Sequence, residues 1–228
     1  MNRKQSISII FFWVLCFAMP ALAQDAIITN RIWDPTIKTV ELRNSSDLFA
    51  PPVLVLGADN VQLSCSFDDL KGSIHHYAYT VVHCNANWTP SRLWPNEYIN
   101  GITEERISDA KPSFGTRVAY THYAFQLPSS SMQFTRSGNY LLKVYDESNP
   151  STICFTLRFY VVEPLSSVTG TVSKSSSIEQ RDAYQEVDFQ VTAHSYLIDP
   201  RSNVCAYILQ NGREDDAIRL RPKQVVGS

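Results

Sequence analysis

The sequence predicts an all-β protein: an antiparallel β-sandwich followed by the start of a second, incomplete β domain. Two observations predict it. Apolar and polar residues alternate at period two in several short runs, and Gly, Pro, Asn and Asp punctuate the gaps between them. Before residue 163, no window of about twelve residues carries a 3.6-residue helical period. An antiparallel sheet with one apolar face buries that face most economically against a second sheet.

The first element is not part of the fold. Arg3 and Lys4 precede an apolar run from Ile7 to Met19, and Pro20-Ala21-Leu22-Ala23 supplies the small residues that a signal peptidase reads. Residues 1–23 are expected to be a secretory signal peptide cut after Ala23; Leu15 is too bulky to make Cys16 a lipoprotein cysteine. Removing Arg3 and Lys4 takes the 20 basic residues to 18 against 22 acidic ones, a mature net charge of −4. No later run reaches the roughly 20 apolar residues that span a bilayer. A mild acidic balance without a basic block leaves no electrostatic footprint for nucleic acid. The expected product is exported and has no transmembrane segment of its own. Export makes disulfides possible among Cys65, Cys84, Cys154 and Cys205, with the pairing open. Alternation sets Cys65 inward and Cys154 opposite the main apolar set.

Each strand has its own signal. Val61, Leu63, Cys65 and Phe67 alternate with Gln62, Ser64 and Ser66, and Asp68 to Gly72 reads as a turn. His76 to Cys84 is apolar or aromatic on both faces, as in a central strand whose outer side is covered. Tyr123 to Leu127 is a shorter strand ended by Pro128. Ser137-Gly138-Asn139 turns into Tyr140 to Tyr145. Ile153, Phe155, Leu157, Phe159 and Val161 then form one face of the clearest strand. DESNP joins those two strands in a hairpin longer than the tight two-residue kind. Serine-rich Pro164 to Ser177 marks a boundary, so residues 24–164 are expected to be an N-terminal β-sandwich domain. Residues 165–228 would begin a second β domain, where Val187, Phe189, Val191 and Ala193 alternate. With turns at Asp199–Asn203 and Asn211-Gly212, it has too few strands to bury its own apolar face and reads as truncated.

Between the strands lies HCNANWTPSRLWPNEYINGI, residues 83–102, with far more aromatic surface than a solvated loop needs. Trp88, Trp94 and Tyr98 suit a structural cap first, then a protein interface, and least a small-ligand site. His75, His76, His83, His122 and Cys84 are the group worth testing as metal ligands. Neighbours on one strand point to opposite faces, and no HExxH or CxxC frames them. Nothing selects a carboxylate pair from Asp68, Asp69, Glu97, Glu104 and Glu105. GxSxG, P-loop and GxGxxG patterns are missing. A non-enzyme without metal, cofactor or small-molecule substrate is expected, and an exported carbohydrate- or peptidoglycan-binding module is the alternative.

One ordered series of segments carries a resemblance. FDDL at 67–70, YAYTVVHCNANW at 77–88, EYINGI at 97–102, YTHYAFQLP at 120–128, SGNYLLKVY at 137–145 and LRFYVVEP at 157–164 are its first part. VDFQV at 187–191 and ILQNGREDDAIRLRP at 208–222 continue it. Together they resemble the plug protein of the type IX secretion system of Bacteroidetes, in its N-terminal domain and the start of its second. The resemblance implies a periplasmic protein, peripheral to the inner face of the outer membrane. Its partner would be the translocon β-barrel, which it closes from the periplasmic side. It brings no catalytic residue. Its recurrent positions fall on Trp88, Glu97, Tyr98, Gly101, Tyr120, His122, Tyr123, Pro128, Gly138, Asn139, Tyr140, Arg158 and Phe159. Trp88, Trp94, Tyr98, His122 and Tyr123 are the candidates for interface or structural cap.

Overall fold

A computed structural model describes residues 28–58, 61–193, 199–213 and 216–223. The expected signal peptide lies outside these residues. The first strands are β1 (Arg31–Ile32), β2 (Ile37–Asn44), β3 (Val53–Val55) and β4 (Leu63–Asp69). β4 has the expected alternation, with Leu63, Cys65, Phe67 and Asp69 fully buried and the residues between them half-exposed. The turn begins at Leu70 rather than Asp68, because Asp68 and Asp69 still pair with β2. Next come β5 (Tyr77–Cys84), the single helical turn α1 (Pro95–Tyr98) and β6 (Ile99–Gly101). β7 (Glu104–Ile107), β8 (Asp109–Pro112) and β9 (Thr121–Leu127) follow. β10 (Met132–Phe134), β11 (Gly138–Asp146) and β12 (Asn149–Val162) complete this part.

One sheet runs β1-β12-β11-β5-β7, with β3 also on β12; a second runs β2-β4-β9-β8; β6 and β10 form a separate pair. The two sheets meet in one core. Phe67 of the second sheet stacks on Tyr123 at 4.9 Å and meets Tyr77 and Phe155 of the first edge-on at 5.4 and 5.2 Å. Offset and edge-to-face rings satisfy the aromatic quadrupole while burying large apolar areas.

Three details depart from the sequence reading. β3 pairs with β12 in parallel, Val53 to Val55 against Tyr160 to Val162, so this part is not purely antiparallel. β12 is 14 residues long, and its outer edge takes both β1 and β3, which arrives after crossing from the other sheet. The β11–β12 hairpin is tight after all, since Asp146 pairs with Asn149 across Glu147 and Ser148. The Asp146 carboxylate accepts the Ser148 N–H at 2.8 Å and its hydroxyl, an Asx turn that a reading of DESNP as a looser link missed. Cys154 is fully buried in the core instead of facing away. Val144 pairs with Phe155 and Tyr145 with Ile153, so Cys154 is the extra residue of a β-bulge, and the bulge breaks the alternation that was used to orient it. Its carbonyl accepts the Trp33 and Asp34 N–H groups. Cys65, Cys84, Cys154 and Cys205 are all free thiols.

Beyond Val162 the chain forms β13 (Ser166–Lys174) against β14 (Gln185–Ala193), in antiparallel register. A turn α2 (Pro200–Asn203) is capped by Asp199, whose carboxylate accepts the Arg201 N–H at 3.1 Å. β15 (Ala206–Ile208) and β16 (Ile218–Leu220) pair after the positive-φ turn Asn211-Gly212. Val168 and Val172 on β13 remain exposed.

Candidate functional site

Residues 83–102 fold from a tight turn at the end of β5. The Asn85 N–H donates to the Thr89 carbonyl, the Trp88 N–H to the Asn85 carbonyl, and the Ser91 N–H to the His83 carbonyl. Asn87 accepts from the Thr89 hydroxyl at 2.7 Å. This geometry holds Trp88 at φ +67°, an unusual region for a bulky side chain. Its ring lies against the outer face of β12. The Arg158 guanidinium sits 4.2 Å from the indole centre and Tyr160 meets it edge-on at 5.4 Å. Arg158 Nε also donates to the Ile28 carbonyl at 2.6 Å, tying the start of the described chain to the same place. Burial pushes the nearby Cys84 thiol up to about 11, with Arg158 opposing.

Further along, the Glu97 carboxylate accepts the Trp94 N–H at 2.7 Å while the Glu97 N–H donates to the Trp94 carbonyl. The reciprocal bonds close α1 and leave Trp94 74% exposed. Tyr98 turns inward, 4% exposed, and donates to the Val81 carbonyl at 3.2 Å. Burial raises its phenol above the usual range. The segment is therefore divided: Tyr98 and Ile99 enter the core, Trp88 covers a sheet, and Trp94 faces solvent.

His122 and Tyr123 lie elsewhere. His122 Nδ1 is 2.7 Å from Asp68 Oδ1 on the outer face of the second sheet. Tyr123 points inward, accepts the His75 N–H at 2.8 Å and donates to the His75 carbonyl at 3.0 Å. The five candidates do not converge on one point. Nor do the histidines: among the described residues no three His, Cys, Asp or Glu side chains group to hold a metal ion. His83 packs between Tyr98 and Tyr140, with its Nε2 3.1 Å from the Ser137 carbonyl oxygen. A side chain at Gly138 would collide with that ring, which explains the glycine there better than a turn does, since Gly138 already begins β11.

Sequence reasoning missed a buried polar cluster at one end of the sheets. The Asp69 carboxylate is fully buried and accepts from the Lys71 N–H at 3.0 Å and the Tyr77 hydroxyl at 2.9 Å, with His75 Nδ1 at 3.1 Å. Lys71 reaches back to Asp34 at 3.0 Å. Burial works to raise the Asp34 carboxyl, but hydrogen bonds from Thr36 and Lys71 outweigh it and hold it below the usual range. Asp69 falls on the inward register of β4, and that placement was the available signal.

A polar cleft of about 440 Å³ lies beside Glu105, Asp109, Gln126 and Ser129. Glu105 is committed within it, accepting from the Tyr79 hydroxyl and the Ser129 hydroxyl, both at 2.6 Å. Arg106 at its rim forms a bidentate pair with Glu147. No histidine or cysteine lines the cleft. Among the described residues, no helix is long and apolar enough to cross a membrane.

These placements define a class: an all-β protein whose aromatic and charged side chains serve two packed sheets and their loops. Within it, the chain belongs to the type 9 secretion system plug protein family, whose first-domain model matches residues 37–163. A crystal structure of a hypothetical protein from Parabacteroides merdae is similar at 34% identity and a TM-score of 0.81, over 87% of this chain. The chain spans 50% of that protein's length. An alkylpurine DNA glycosylase from Pseudomonas fluorescens, bound to DNA with an abasic-site analogue, shares 11% identity over 55% of this chain and 30% of its own; at a TM-score of 0.30 it carries no argument. No curated protein matches.

The position of Trp88 gives a direct prediction. Trp88→Ala should cost about 1–3 kcal/mol, from lost apolar contact and the arginine–indole stack. Trp94→Ala should stay within about 0.5 kcal/mol, as an exposed substitution does. Denaturant melts of the two variants decide, and equal effects would remove Trp88 from the structural role.

Proposed function

We propose that this protein is a non-enzymatic periplasmic plug that docks on the outer-membrane barrel of the type IX translocon and closes its periplasmic side. The observation that carries the reading is the family match across residues 37–163, which takes in nearly all of the two-sheet part. The division into residues 24–164 as a β-sandwich domain and residues 165–228 as the start of a second β domain is part of the proposal. So is the assignment of Trp88, Tyr98 and Tyr123 to scaffold, His122 to a surface pair with Asp68, and Trp94 to the exposed start of α1. A rigid aromatic core suits a lid, which must resist deformation more than it must move. A sugar-binding module would instead set rings side by side in an open groove; here Trp88 is covered by Arg158 and Trp94 stacks on no other ring among the described residues.

Deleting the gene in its host should make the outer membrane leak a large hydrophilic probe, and the full-length gene should restore the seal. The tagged protein should bring the barrel with it from native membranes. A tight membrane in the deletion strain, with no barrel recovered, would reject the plug and favour the wall- or sugar-binding alternative.

A further inference from the structure

We propose that one pole of the two-sheet part, built by residues 70–76 and 113–120, is the surface that docks on the translocon barrel, with Phe114 as its anchor. This rests on the plug reading above. The strand registers put both loops at the same end. Asp69 pairs with Thr121, and Thr121 with Pro112, so the β4–β5 link and the β8–β9 link leave the second sheet side by side. The loops touch: a Cβ on Gly72 would lie 3.5 Å from that of Ala119, and Thr121 Oγ1 donates to the Ser73 carbonyl at 3.4 Å.

This end presents apolar side chains to solvent. Phe114 is 100% exposed, Val118 59% and Ile74 54%, with Leu70 beside them. Such exposure on a mobile tip would mean little, but both loops are braced. The Ser113 N–H donates to the Tyr120 carbonyl at 2.7 Å, the Tyr120 N–H to Ser113 Oγ at 2.9 Å, and Thr116 Oγ1 to the Val118 carbonyl at 2.8 Å. The other loop is pinned by Tyr123 on His75 and by the buried Asp69. A preorganised loop that holds one phenyl ring outward loses little freedom on docking, and large apolar anchors dominate protein interfaces.

Charge favours a protein surface over a lipid one. Anionic headgroups attract clusters of uncommitted Lys and Arg. At this end Lys71 is paired with Asp34, Lys111 with Asp109, and Arg106 with Glu147. Among the described residues Arg117 and Lys38 form no ion pair, but two single cations fall short of the roughly four to eight that a lipid-binding cluster carries. Position agrees as well. β12 runs from Asn149 at this pole to Val162 at the other, where the chain continues into β13. The pole bearing Phe114 faces away from that exit. The exposed Leu48, Phe49 and Trp94 belong to loops at the exit end and serve as the comparison.

The test uses the tagged full-length protein in its native host. A Phe114→Ser, Val118→Ser double variant should melt like the wild type yet recover at least about tenfold less barrel and leave the membrane leaky. Trp94→Ser should behave as wild type. Should the double variant melt early, a photoreactive benzoylphenylalanine at position 114 supplies the second readout, and its crosslink to the barrel supports the assignment. Unchanged barrel recovery by a folded double variant, or loss with Trp94→Ser alone, overturns it. So would Phe114-dependent flotation with phosphatidylethanolamine–phosphatidylglycerol vesicles while barrel recovery persists, or Phe114-dependent dimerisation in solution. If the wild type recovers no barrel, the plug reading itself falls and takes this one with it.

Discussion

Replacing Gly101 by alanine is expected to destabilise the protein by more than about 3 kcal/mol, from backbone strain and overpacking together. Gly101 has φ +106°, a region that disfavours any side chain, and it faces Met132 in the β6–β10 pair. A Cβ there would stand 2.0 Å from the Ser131 carbonyl oxygen. That oxygen also accepts the Ile102 N–H at 2.9 Å, so it cannot retreat without breaking the bond that ends β6. Displacing β10 would drag fully buried Met132 out of the core. Gly57 gives the control, having φ +77° but nothing within 4 Å of its would-be Cβ. Gly57→Ala should cost only the conformational share, about 1–2 kcal/mol. Denaturant melts of both variants separate strain from collision, and equal costs would refute the steric account.

Much of this arrangement was legible because strands write themselves at period two. β4 buries the residues that alternation selects, Leu63, Cys65 and Phe67. β12 buries Phe155, Phe159 and Val161, although Leu157 stays half-buried and Thr156 on the other face is fully buried. The reading failed where the chain leaves that period. The bulge at Cys154 inserts one residue, and every orientation inferred across it inverts. The parallel β3–β12 pair was invisible because pairing partners far apart in sequence leave no local signal, and Val53 to Val55 is too short to announce itself. The aromatic loop was legible as a cap in part only. Tyr98, set on α1, is carried into the core, whereas Trp94 at the start of the same turn is carried out. No composition argument separates them, since the difference lies in the Glu97 cap that fixes the turn. The pole around Phe114 was missed for a simpler reason. One phenylalanine in SFGTRVA looks like an ordinary loop residue until its neighbours across the fold are known.

The remaining large effect is expected at Phe67, where the two sheets are joined. Its ring touches Tyr123 on its own sheet and Tyr77 and Phe155 on the other, all fully buried. Tyr77 and Tyr123 are themselves fixed by hydrogen bonds, to Asp69 and to the His75 backbone. The hole left by Phe67→Ala therefore cannot close by rotating those rings without breaking polar contacts in a buried setting. Cavity and transfer costs together put the loss at about 3–5 kcal/mol, whereas Phe67→Leu should cost less than about 1.5 kcal/mol. Sheet coupling can be read separately. Combining Phe67→Ala with Phe155→Ala should depart from additivity by about 0.5–3 kcal/mol, because the two rings line one cavity. Additive losses would mean that each sheet holds its own share of the core and that Phe67 does not join them.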